Sequence, residues 1–355
     1  MKVLLFSFLL LCSLFSSASD LILAKQVTLK SDSLGEDRNL LIKLPNQYHE
    51  NSATYPVLYV LHAQWDMLST LATLDLLADQ IPNFIVIGVQ SSGKELSPNK
   101  GKVTPFAEFI SQEVVTYVNA NYRVAPYSIL SGHSNSGRFV LDYWLNNPAA
   151  FSSYFAFSPS VDDGYIVDMI SQSDIESLKS KAPLAITIAN EGEHMQQPFS
   201  NLTQKLSGLA KEKFVFKKFP EQTHRTTKHP SMQFALQSTF TNWQPSYEVK
   251  IAGLDSLKKH YTQLSKKYGF TVNVPNETLQ RLTAHYAISK DDNAIEQLRK
   301  HITFTINQTP EGLDALFEIA EYLSANDYES AGERIFNKLC AQAKNVSQCT
   351  GKRAI

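Results

Sequence analysis

Cysteine and tryptophan are scarce in this chain, three of each among 355 residues, and neither sign of charge is in excess. Lys and Arg number 33 against 34 Asp and Glu, a net of -1. No basic run is long enough to track a phosphate backbone, which argues against nucleic acid as a partner. So few cysteines argue against a disulfide-built miniprotein and a thiolate zinc site, and no metal is expected. Beyond the first twenty residues no apolar run approaches the roughly 20 residues that a spanning helix needs. What remains is 43% hydrophobic and 19% charged, a globular make-up with length for one large core and a smaller one.

The first twenty residues stand apart. Lys2 precedes an apolar run from Val3 to Phe15, and Ser16-Ser17-Ala18-Ser19 supplies small residues before Asp20. That order reads as a secretory signal over 1–19, too short for a lasting span, and predicts export to the periplasm or medium of a bacterium. Cys12 would leave with it. Cys340 and Cys349 are then an even pair in an oxidising compartment, expected to be bridged and to staple the last helix to the tail.

From there to about Pro220, short apolar runs alternate with amphipathic stretches. Leu40–Leu44, Val57–Leu61, Phe84–Val89, Ser128–Ser131, Tyr154–Phe157, Leu184–Ala189 and Phe214–Phe219 are brief, and several are rich in β-branched or aromatic residues, as buried strands are. Phe106, Phe109, Ile110, Val114, Val115 and Val118 recur at helical spacing, as do Phe139, Val140, Tyr143 and Trp144. Alternation of this kind predicts an α/β fold: a mostly parallel sheet covered on both faces. Val27–Ser31 and Asn39–Leu44 have no helix between them and predict an antiparallel edge hairpin. After Tyr247 the strand-like runs stop and helical patterns take over, with Gln244-Pro245-Ser246 as a short linker. The expected division is a signal at 1–19, an α/β domain at 20–245 and a small all-α domain at 250–355.

The sharpest local feature is Gly132-His133-Ser134-Asn135-Ser136-Gly137, between the strand ending near Ser131 and a helix starting near Arg138. A serine at such a strand-to-helix turn is pushed out of the sheet's carboxyl edge, and its neighbours must be small. The following helix aims its first N–H groups at the same place, so Asn135 is the expected oxyanion donor. A serine nucleophile needs a base, and the base an orienting acid, in the chain order nucleophile, acid, base. The strand Leu184–Ala189 ends in Asn190-Glu191-Gly192-Glu193-His194, so the acid is Glu193, preferred because Gly192 lets the turn present the next side chain, or else Glu191. After Phe214–Phe219 comes Glu221-Gln222-Thr223-His224, and His224 is the expected base, with His229 and His194 as competitors. A second oxyanion donor is expected from the N–H of Ala63 or Gln64, with Trp65 walling the pocket.

These stretches resemble the putative-esterase family of α/β-hydrolases, the group that holds enterochelin-esterase-like and esterase-D-like enzymes. The matching segments are Gly35-Glu36-Asp37-Arg38, Leu44-Pro45, Tyr55 to Leu61, Val86-Ile87-Gly88-Val89, Leu96-Ser97-Pro98, Phe106 to Glu113, Asn121-Tyr122-Arg123, the Gly132-His133-Ser134 turn and Phe157-Ser158-Pro159-Ser160. The resemblance implies a serine hydrolase of carboxylic esters without metal or organic cofactor, with Ser134 as nucleophile and His224 as base. Two positions depart from the pattern: His62-Ala63 stands where relatives often have Asp-Gly, and Ser136 where they usually have Gly. The C-terminal helices resemble degenerate tetratricopeptide-like tails, with room for about two repeats.

The expected reaction is cleavage of a small-molecule ester through an acyl-enzyme on Ser134. A thioesterase or peptidase of the same fold is the near alternative. A non-catalytic adaptor, gripping a protein partner through the helical tail, is the distant one.

Overall fold

A computed structural model of the chain describes residues 22–46, 48–98, 102–147, 150–209, 212–289, 292–308, 312–342 and 347–350. The signal expected at 1–19, and Cys12 within it, lie outside the described residues.

Eight strands form one sheet: β1 (Lys25–Ser31), β2 (Glu36–Lys43), β3 (Tyr55–Leu61), β4 (Ile85–Val89), β5 (Val124–His133), β6 (Ser153–Phe157), β7 (Leu184–Ala189) and β8 (Phe214–Phe219). Their order is β1-β2-β4-β3-β5-β6-β7-β8. β1 and β2 are the expected antiparallel hairpin, and β2 also runs antiparallel to β4. From β4 to β8 every neighbour is parallel, as strands joined through helices must be. Each of the short apolar runs found between Leu40 and Phe219 falls on one of these strands. Every residue of β3, β4, β6 and β7 is buried, which is why they read as continuous apolar runs rather than alternating ones.

The two faces nevertheless bury different sets. Val57, Tyr59 and Leu61 enter one core, and Leu58 and Val60 the other, the period of two that a pleated strand imposes. The helices of the α/β part are α1 (Ala63–Leu76), α2 (Pro105–Glu108), α3 (Val115–Asn121), α4 (Asn135–Asn146), α5 (Tyr165–Gln172), α6 (Ile175–Ser180), α7 (Glu193–Ser207) and α8 (Lys228–Thr239). Between α2 and α3 the turns widen to a π-helix over Phe109–Val114, a local irregularity that the helical spacing did not disclose. Residues of α4, α5 and α7, among them Phe139, Trp144, Ile166 and Leu202, fill the first core. On the opposite face Met67 of α1 and Met232, Ala235 and Leu236 of α8 pack against the sheet.

The tail comprises α9 (Tyr247–Ile251), α10 (Leu254–Tyr268), α11 (Asn276–Ile288), α12 (Asp292–Gln308), α13 (Gly312–Ala325), α14 (Glu329–Gln342) and α15 (Ser347–Thr350). Leu257, Tyr261, Leu264 and Tyr268, at helical spacing, are buried in the same cluster as Phe84, Phe240 and Trp243 of the α/β part. Tyr127 of β5 meets Tyr268 edge-on at 5.8 Å, and Trp243 meets the same ring at 5.8 Å. Burial of such side chains stabilises by roughly 1.5–3 kcal/mol each, so the tail is fastened to the sheet by shared apolar surface rather than hung from a free linker. Cys340 of α14 is bonded to Cys349 of α15, with Cα atoms 5.4 Å apart. Among the described residues no helix is long and apolar enough to cross a membrane.

Candidate active site

β5 ends at His133 and α4 begins at Asn135, leaving Ser134 alone at the corner with φ 61° and ψ -123°. A side-chain-bearing residue pays roughly 1–3 kcal/mol for such a backbone and persists there only when its surroundings over-determine it. They do. Ser134 N–H donates to Phe157 O at 2.9 Å, and Ser134 O accepts from Arg138 N–H at 3.0 Å and from Ser160 N–H at 3.2 Å. A Cβ on Gly132 would come 2.4 Å from Ser136 O, so only glycine closes the turn. Ser136, where the family pattern has glycine, is fully buried, and its Oγ both accepts from His133 N–H and donates to His133 O, each at 2.8 Å. The departure therefore does not strain the turn; it ties it.

The carboxyl ends of β3 and β5 are neighbours, Val60 pairing with Ser131, so the turn after β3 opens at the same sheet edge as Ser134. The N–H of Asn135 opens α4 beside it. His62, in the left-handed region at φ 56°, turns the chain from β3 into α1, whose first-turn N–H groups are those of Ala63 and Gln64. Gln64 holds that end in place by donating from Nε2 to Ser91 O at 2.6 Å. Trp65, expected to wall the pocket, is instead 69% exposed.

The loop that carries His224 follows β8. Asn190 N–H donates to Gln222 O at 2.8 Å, lacing the loop after β7 to the loop after β8. Across that lace, Glu191 Oε1 contacts His224 Nδ1 directly, with the glutamate side chain 7% exposed and the imidazole 45%. The preference for Glu193 is thereby corrected. Gly192 ends the loop as the residue before α7, so Glu193 becomes the first residue of a helix, exposed and suited to the positive end of its dipole. The competing histidines go elsewhere: His194 is exposed on α7, and His229 Nδ1 meets Thr73 Oγ1 of α1 at 2.8 Å.

Two contacts were not anticipated. His133 Nε2 lies 2.7 Å from the carbonyl oxygen of His224, and their rings are 4.5 Å apart. A carbonyl only accepts, so His133 donates from Nε2. Burial pulls its pKa down to about 3, aided by the nearby His224 and Lys228. Ser160, after β6, is the side-chain polar partner of Ser134, Oγ to Oγ at 3.3 Å. Its position past the carboxyl end of a central parallel strand was the available signal, since groups at that edge gather around the site. Among the described residues no group of three or more His, Cys, Asp or Glu is placed to hold a metal ion.

A serine on a strained strand-to-helix corner after β5, with a Glu–His pair carried by the ends of β7 and β8 in a β1-β2-β4-β3-β5-β6-β7-β8 sheet, defines an α/β-hydrolase. The comparisons agree. The family model described as putative esterase matches residues 31–209, just over half of the chain, and the chain belongs to that family of hydrolases. No curated protein matches it. Among solved structures it is similar to an IroE-like serine hydrolase from Shewanella oneidensis, at 19% identity and TM-score 0.64 over 78% of this chain and 98% of that one. An uncharacterised protein from Capnocytophaga ochracea matches at 17% identity and TM-score 0.63 over 89% of this chain and 93% of that one. That coverage exceeds what the α/β part alone supplies, so the shared fold extends into the helical region. The siderophore hydrolase EstB from Aspergillus nidulans matches at 17% identity and TM-score 0.52, over 65% of this chain and 99% of that one.

Proposed function

We propose that the chain is an exported serine esterase that cleaves a small-molecule carboxylic ester through an acyl-enzyme on Ser134. Ser134 Oγ attacks the ester carbonyl while its proton passes to His224 Nε2, the ring nitrogen left after Nδ1 engages Glu191. The N–H of Asn135 and those of Ala63 and Gln64 receive the oxyanion. The imidazolium returns its proton to the leaving alkoxide, and water, deprotonated by the same ring, releases the acid. In the resting chain Ser134 Oγ is paired with Ser160 Oγ at a long 3.3 Å, so a turn of the serine side chain toward His224 precedes attack. Such loosened geometry is ordinary before substrate binds.

The observation that carries this reading is the Glu191–His224 pair, in a loop that His133 Nε2 meets at 2.7 Å one residue before the strained corner at Ser134. Ser134→Ala should lower turnover of a p-nitrophenyl ester by several orders of magnitude and abolish labelling by a fluorophosphonate. A variant that keeps most of its activity removes Ser134 as nucleophile; a folded wild type that is neither labelled nor active favours the adaptor instead. Thioester and amide panels on the same sample separate the near alternatives. Siderophore esters head the ester panel, because a solved relative is named for them. Export is supported by the signal-like sequence at 1–19 and by the bonded cysteines, which suit an oxidising compartment.

A further inference from the structure

Between the two arms of the site lies an ion pair that the mechanism above does not use. Lys228 is the first residue of α8, four positions after His224; Asp66 is in the first turn of α1, just past Ala63 and Gln64. Lys228 Nζ is 2.5 Å from Asp66 Oδ1 and donates to Trp65 O at 3.2 Å. The two side chains are 19% and 9% exposed. A lysine at a helix N-terminus opposes the dipole, and a carboxylate so withdrawn from water needs its cation, so each makes sense only through the other.

The topology makes the pair consequential. α1 leaves β3 and the His224 loop leaves β8, and β5, β6 and β7 lie between those strands. β3 and β8 therefore share no direct ladder, and the span between the two arms is reached only through three intervening strands. α8 returns across the sheet face to pack on α1, and side chains decide where it lands. Lys228–Asp66 is the contact nearest the site, followed along the seam by His229–Thr73 at 2.8 Å and Gln237–Gln80 at 3.1 Å.

We propose that Lys228 and Asp66 are positioning residues: their ion pair clamps the helix that carries the oxyanion N–H groups of Ala63 and Gln64 to the loop that carries His224. The proposal rests on the Ser134 esterase reading. A misplacement of about 1 Å between such groups costs on the order of 100-fold, so Lys228→Met should lower kcat for p-nitrophenyl acetate by about 10- to 100-fold. KM should stay within about two-fold, because the clamp touches no substrate. Lys228→Arg should recover most of the lost turnover.

Since Lys228→Met strands a buried carboxylate and can fail to fold, Asp66→Asn/Lys228→Met, which leaves no unpaired charge, is measured beside it. Expected is a double variant that melts like wild type yet keeps the low kcat. A double variant with wild-type melting and wild-type kcat would show that the pair only stabilises the fold, and would overturn the clamp alone. A wild type inert toward every ester removes the esterase reading and the clamp with it.

Discussion

Replacing Glu191 with Gln is the most discriminating perturbation of the site, because it separates two residues that the sequence placed in one loop. Glu191 Oε1 faces His224 Nδ1 with the glutamate nearly closed off from water. A carboxylate there keeps the proton on Nδ1, leaves Nε2 free to accept, and stabilises the imidazolium. An amide can present an N–H instead, which pushes the ring toward the tautomer that cannot deprotonate Ser134. In the Ser-His-Asp enzymes the corresponding change costs about 10⁴-fold. The imidazole here is 45% exposed, so water can stand in for part of the lost partner, and about 10³-fold in kcat is expected, roughly 4 kcal/mol of transition-state stabilisation. Glu193→Gln, at the exposed start of α7, should stay within about two-fold. Both would be read as kcat and kcat/KM for p-nitrophenyl acetate from pH 6 to 9, with circular dichroism to confirm folding. Equal losses in the two variants, or a Glu191→Gln enzyme within about three-fold of wild type, would refute the assignment.

Gly132→Ala should open the turn that holds Ser134, because its Cβ would meet the Ser136 carbonyl at 2.4 Å; a cost of about 1–3 kcal/mol and a fall in kcat larger than any change in KM are expected, and an unaltered melting temperature would contradict the packing argument. Acid should destabilise the chain through two buried imidazoles. Burial lowers the pKa of His133 to about 3 and that of His301, in the tail core, to about 4. In the unfolded chain both titrate near 6.5, so the unfolded state binds the extra protons and stability falls as pH drops below about 6.5, by roughly 2 kcal/mol per ring at pH 5. Urea midpoints at pH 7 and pH 5 read this directly, and His301→Leu should flatten the dependence; a midpoint as pH-sensitive in that variant as in wild type would count against it. Replacing Cys340 and Cys349 by Ser releases a bridge spanning nine positions, which loop-closure entropy values at about 2.5 kcal/mol; hydrogen exchange in α14 should speed up accordingly, and protection equal to wild type would refute the estimate.

Much of the α/β part was legible because buried parallel strands must be apolar on both faces and cannot disguise it. Val57–Leu61 and Leu184–Ala189 are as plain in the sequence as in the sheet. The corner at Ser134 was equally plain, since a turn of that shape tolerates only small neighbours, and the loop carrying His224 followed from its place after the last strand. The acid was not. Glu191 and Glu193 are two residues apart and chemically identical, and which one meets the imidazole depends on where α7 begins, a matter of one residue at a helix end. Ser136 could be seen as a departure, but its role as a tie needed the path of the His133 backbone.

By itself, then, the sequence determined the strand and helix alternation, the tight corner at Ser134 and the loops in which Glu191 and His224 stand, because local sterics and burial periodicity act over a few residues. Only the tertiary structure decided the partners of those groups. Glu191 on His224, His133 under the same loop, Lys228 on Asp66 and Tyr268 against Tyr127 each join segments distant along the chain. Which side chain meets which across such gaps is set by how sheet and helices pack, and no local pattern encodes it.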